Sequence, residues 1–227
     1  MIAPRLRKAA LASSGFILLA TLVIGWMHTR SARPLLSALG VHCPVDEVST
    51  AQVEKMRKAG LAGLRGDMAA PARPAVASMV LEHTTERDAQ AWASEKGAAC
   101  ESIVRGYRFL RCRGVSAKAL GIEGPAVSEL WLSFGTDGKL IGVDIYRRGL
   151  DAAGVAQAWS SAVDKLEETL GKPPVAFGDA SPEALQSAAI QTARVQYKYA
   201  DYIATVTAAN LPHSGLAVRE QYMVANM

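Results

Sequence analysis

Nineteen consecutive residues without a charged side chain, Ala9 to Met27 (AALASSGFILLATLVIGWM), constrain this chain more than any other feature. As a helix rising about 1.5 Å per residue they reach roughly 28 Å, close to the thickness of a bilayer's hydrocarbon core. A run apolar on every face does not suit a surface helix of a globular domain. Arg5, Arg7 and Lys8 precede it, and Trp26 stands where an interfacial aromatic ring belongs. The sequence therefore predicts a short cytoplasmic tail (1–8), a transmembrane signal anchor (9–27) and a juxtamembrane linker (28–48). A cleaved signal peptide is the competing reading, but its apolar stretch is typically about 7–15 residues with a small-x-small site close behind. Here the run is longer, and the flank His28 to Pro34 offers only Thr29-x-Ser31. The slight basic excess on the N-terminal side places the bulk of the chain outside the inner membrane, on the extracytoplasmic, periplasmic face.

The net charge of +4 suggests nucleic acid at first sight. Five of the 25 Lys and Arg lie within residues 1–34, where there is no Asp or Glu, so residues 35–227 carry a net −1. The basicity marks topology rather than a phosphate-binding surface, and no nucleic acid partner is expected. The remaining 193 residues suffice for one sizeable domain or two small ones.

Three cysteines are present, Cys43, Cys100 and Cys112. The segment from Cys100 to Cys112 reads as a hairpin turning at Gly106, which sets residue i opposite 212 − i and Cys100 opposite Cys112. A cross-strand disulfide is expected there, given an extracytoplasmic body; Cys43 is left unpaired.

Behind the anchor the pattern predicts an α+β fold of antiparallel sheets packed by helices, in a first unit over 49–122 and a second over 128–227. Ser49-x-x-Gln52 opens a helix running through Val53, Met56 and Leu64 to Gly66. Residues 75–82 read as a strand, and Thr84 caps a helix through Trp92 to Gly97. Asp137-Gly138 between alternating runs is a strong hairpin signal, pairing Leu130 with Ile145, Leu132 with Val143 and Phe134 with Ile141. Asp151 caps a helix stopped by Gly171, Ser181-Pro182-Glu183 starts another, and the tail from Val195 to Tyr222 suggests a meander. Ala89-Gln-Ala-Trp92-Ala-Ser94 echoes Ala156-Gln-Ala-Trp159-Ser-Ser161, which raises the possibility of two related β-α-β-β units.

No nucleophile triad, phosphate-cradling glycine loop, Cys-x-x-Cys or zinc motif is legible. His83 beside Glu82, Glu86 and Asp88 lacks a second histidine, and acidic residues belong in a helix's first turn for dipole reasons. Arg65-Gly66-Asp67 is better explained by a helix end than by adhesion. Arg105, Arg111 and Arg113 share one face of the proposed disulfide hairpin, suited to an anionic partner or to solvent. Tyr197, Tyr199 and Tyr202 form the densest aromatic region, equally suited to an interface or to closing a sheet.

The plan of short tail, single span and outward body is similar in outline to bitopic subunits of bacterial envelope machines. The expected function is that of a non-enzymatic accessory subunit or assembly factor, with lipid and other envelope membrane proteins as partners and no cofactor. The alternative is an extracytoplasmic ligand- or peptide-binding module.

Overall fold

The computed structural model describes residues 49–225 except Ala75 and Ala189, together with Thr21 and Trp26. The expected tail, anchor and linker, with Arg5, Arg7, Lys8 and Cys43, lie outside the described residues. Within the anchor only Thr21 and Trp26 are described, both helical and exposed. Among the described residues no helix is long and apolar enough to cross a membrane.

Ser49 to Met227 form one compact α+β unit. Its elements are α1 (Thr50–Ala62), α2 (Glu86–Glu95), β1 (Ala99–Arg105), β2 (Tyr107–Arg113), β3 (Glu129–Phe134) and β4 (Leu140–Leu150), followed by α3 (Ala152–Leu170), β5 (Val175–Phe177), α4 (Pro182–Gln186), β6 (Gln191–Lys198), β7 (Tyr202–Leu211) and β8 (Gly215–Val224). The strands make one antiparallel sheet in the order β1-β2-β3-β4-β8-β7-β6-β5. Four strands follow α2 in the first half and four follow α3 in the second, where α4 stands between β5 and β6, and the halves meet at the β4–β8 seam.

The sequence echo does not mark equivalent positions in the two halves. Thr85 caps α2 and Asp151 caps α3. In cap register Trp92 corresponds to Ala158, which is buried, whereas Trp159 is only half-buried. Thr84 is not the cap; its hydroxyl accepts from the Val80 amide at 2.8 Å, and Thr85 makes a full capping box with Asp88. The strand expected at 75–82 is a chain of turns holding one isolated bridge, Val76 to Met79, with Ala77 and Glu82 at positive φ. That backbone is incompatible with a ladder, although Val76, Met79 and Leu81 still bury their side chains.

Both hairpins hold their expected core. Cys100 pairs with Cys112 and the disulfide closes over 12 residues. Leu130 pairs with Ile145 and Leu132 with Val143, but an irregularity after Ser133 sets Phe134 opposite Leu140 rather than Ile141. One row of inner-face positions runs across seven strands: Ser102, Leu110, Leu132, Val143, Tyr222, Ala204 and Tyr197. Against this face pack α2, through Ala89, Trp92 and Ala93, and α3, through Val155, Ala158, Ala162 and Leu166. Helix α1 takes the outer face near the strand ends. Its Leu61 packs with Ile203, Met223 and Ala225, and Arg57 donates to the Val224 carbonyl at 2.8 Å. It ends at Gly63, earlier than the expected Gly66. Gly66 is instead pressed against the Lys198 carbonyl, where a Cβ would collide.

Beneath α3, at the seam, Arg147 and Glu220 form an ion pair with both side chains 1% exposed. Arg147 also donates to the Pro125 carbonyl (3.2 Å) and the Glu123 carbonyl (3.3 Å), and the Tyr222 hydroxyl donates to Glu220 at 2.6 Å. Burial, the Glu220 charge and that hydrogen bond push the Tyr222 phenol well above its ordinary pKa. Removing one member of such a pair strands a buried charge, at a cost of about 3–5 kcal/mol, whereas an apolar pair of similar volume is often neutral. Glu220→Ala should therefore lower unfolding free energy by about 3–5 kcal/mol in urea, and Arg147→Met with Glu220→Leu should recover most of it. Reduction of the disulfide should cost about 3 kcal/mol by loop entropy, read as the shift between denaturation curves with and without reductant.

Candidate functional interface

Strand alternation that buries one row of side chains turns the neighbouring rows outward. Around the β2–β3–β4–β8 centre the outer row reads Arg111, Trp131, Asp144 and Gln221, continuing to Thr205 on β7. A second row sets Glu129, Tyr146 and Arg219 side by side. Phe109 stands edge-on to Trp131, with ring centroids 6.2 Å apart. Arg111 lies over the Trp131 ring at 5.1 Å, and Arg148 and Arg219 lie over Tyr146 at 4.8 and 5.3 Å. Planar guanidinium groups stacked on rings are held in place without losing their outward charge.

Two carboxylates organise the patch from below. Glu129, 9% exposed, accepts from Arg111, from Arg113 at 3.4 Å and from Trp131 Nε1 at 3.1 Å, and faces Arg148 at 3.6 Å. Asp144 accepts from Arg219 Nε at 2.8 Å and Gln221 at 3.0 Å. Arg113 and Arg148 remain 56% and 43% exposed. The layer presented to solvent is therefore largely cationic and aromatic: Glu129 and Asp144 lie beneath it, while a third counter-charge, Glu101, is 54% exposed beside Arg111 at 3.1 Å.

The pKa values of the two acids are shifted in opposite directions. Burial works to raise Glu129, but hydrogen bonds from Arg111 and Trp131 and the charges of Arg111 and Arg148 outweigh it and hold the carboxyl below its ordinary range. At Asp144 burial prevails over Arg219 and Gln221, and the carboxyl is raised.

Of the arginines singled out by sequence, Arg111 and Arg113 come together on Glu129, and Arg105 stands in β1 with its side chain outside the described residues. The tyrosines go elsewhere. Tyr197 and Tyr202 are fully buried on the inner face, and Tyr199 is half-buried. Tyr197 donates to the Gly171 carbonyl at 2.8 Å, and burial pushes its phenol up to about 12. The patch residues that sequence reading did not single out as a site are Phe109, Glu129, Trp131, Asp144, Tyr146, Arg148 and Arg219. Their signal was present in the Asp-Gly hairpin, whose polar face carries Trp131, Asp144 and Tyr146, but the neighbour supplying Arg219 is distant in sequence.

The remaining clefts offer less chemistry. One of about 330 Å³ opens beside Arg147 and Glu220, whose polar atoms are already engaged with each other and with the 123–125 carbonyls. Among the described residues no three His, Cys, Asp or Glu side chains converge as a metal site. His83 sits with Nδ1 3.0 Å from the Leu81 carbonyl.

No family model, curated protein or solved structure matches the chain.

The lowered Glu129 contributes stability that is complete above about pH 4.3, the ordinary glutamate value, and lost as pH falls through its native value. The raised Asp144 does the reverse, so stability declines as pH climbs above about 3.9. Denaturation midpoints from about pH 3 to 6 should show Glu129→Gln flattening the acid limb and Asp144→Asn steepening it.

Proposed function

We propose that this protein is a non-enzymatic, membrane-anchored accessory subunit or assembly factor of an envelope complex, held on the inner membrane with its α+β body outside. The observation that carries this reading is the outer sheet face. Its arginines and rings stand over buried carboxylates, so the complementary partner is a protein surface offering carboxylates and apolar side chains. Ordered arginines and aromatic rings are the side chains most used as binding anchors, because little entropy is lost when they are covered. A disulfide between Cys100 and Cys112 suits an oxidising compartment, in line with an extracytoplasmic body. The uncharged run from Ala9 to Met27 supplies the tether, which raises the local concentration of body and partner in one plane.

Peptide capture by the tyrosine-bearing strands loses ground. Tyr197 and Tyr202 face the core, and β7 is paired on both sides.

Tagged full-length protein, extracted from its own membranes in mild detergent, should carry membrane partners at fixed stoichiometry. Trp131→Ala combined with Arg148→Glu should reduce their recovery by about tenfold or more while leaving the circular dichroism unchanged. A protein that travels alone, or partners that ignore the double variant, would sink this assignment.

A further inference from the structure

The two edges of the sheet are built differently. Edge strand β5 has three residues and follows Pro173 and Pro174, which bring no N–H to a ladder. Short strands and prolines are the usual protection against edge pairing. The opposite edge, β1, runs for seven residues, Ala-Cys-Glu-Ser-Ile-Val-Arg, with neither proline nor lysine. The disulfide fixes it to β2.

The disulfide also reports which backbone groups of β1 are free. Cys100 and Cys112 stand 4.0 Å apart at Cα, the close spacing of a pair that does not exchange backbone hydrogen bonds. By alternation Cys100, Ser102 and Val104 turn their N–H and C=O groups away from β2, and no described strand lies beyond β1.

From this we infer that β1 pairs antiparallel with β1 of a second copy, about a two-fold axis through Ile103. In that register Ser102 and Val104 of one copy exchange backbone hydrogen bonds with Val104 and Ser102 of the other. Position 101 of each copy stands opposite position 105 of the other, a Glu facing an Arg in the sequence, with Glu101 also held by Arg111 of its own chain at 3.1 Å. The inner face fits as well. Val104 is 72% exposed. It lies opposite the second copy's Ser102 and diagonal to its Cys100, two residues lining a cleft of about 290 Å³ with Ala93, Ala98 and Leu110. Each copy therefore brings both the projecting valine and the recess that receives it, as an isologous interface requires.

The test is cross-linking of the full-length protein in mild detergent, with Cys43→Ser removing the third cysteine of the chain. Ile103→Cys should form an intermolecular disulfide, giving a dimer on a non-reducing gel, because its Cα faces itself across the axis. Phe177→Cys, on the other edge, should remain monomeric. Val104→Arg, at an exposed site, should leave the fold intact and weaken dimerisation by about tenfold or more, through lost burial and like charge. Light scattering that finds a monomer would overturn the pairing. So would a dimer cross-linked through Phe177→Cys and not Ile103→Cys.

Discussion

The ion pair between Arg147 and Glu220 ties the two halves of this fold together. It is diagonal across β4 and β8, strands that adjoin in space although some 70 residues apart in sequence. A charge in such a place is costly unless every polar atom finds a partner. Here the guanidinium reaches back to the carbonyls of Glu123 and Pro125, so it also fastens the connection between β2 and β3 to the sheet. Tyr222 completes the carboxylate. An apolar pair would hold the seam with similar energy, but only the charged pair fixes the diagonal register and the loop together. A slip of one residue in either strand would turn that strand's charge toward the outer face and leave the other buried without its partner.

Much of this architecture is legible in local sequence, and the limits follow the range of the interaction. Gly106 and Asp137-Gly138 fix two hairpins because a turn reads within a few residues, and register then propagates by alternation. Asp151 and Ser181 identify helix starts for the same reason. Segment 75–82 misleads because apolar residues spaced for burial look alike in a strand and in a packed turn, and only the positive φ of Ala77 and Glu82 separates them. Thr84 and Thr85 are adjacent candidate caps, and Asp88 decides between them by completing the box with Thr85. Joining the halves into one sheet needs β4 to meet β8, which no local pattern specifies.

The outer patch was half visible for the same reason. Trp131, Asp144 and Tyr146 lie within one hairpin, and their common face follows from period two. That this face is solvent-facing surface rather than core depends on what the neighbours bring: Arg113 and Arg148 on one side, Arg219 from β8 on the other. The tyrosine-rich tail gave the opposite impression, since aromatic density alone does not say which face a ring takes. Tyr197 and Tyr202 fall on the inner row, and their size fills the space beneath α3, where β6 and β7 otherwise contribute alanines such as Ala193, Ala204 and Ala208.

Sheet edges and faces place different demands on a folded body. A face can stay solvated when its backbone groups are satisfied within the sheet and its rings are shielded by stacked arginines, as around Trp131 and Tyr146. An edge strand cannot hide its backbone in that way; it must be blunted, solvated or paired. Pro173 and Pro174 blunt β5, while β1 keeps a regular ladder pinned by Cys100 to Cys112. Pinning removes the fraying by which an edge strand would otherwise resist addition, so the disulfide preorganises β1 for pairing as well as stabilising its hairpin. A span at the N-terminus would reinforce this, since two-dimensional confinement favours an interface too small to persist at dilution. Face and edge are thus separate surfaces, and the proposed partner on the arginine-rich face would leave β1 open to the proposed second copy.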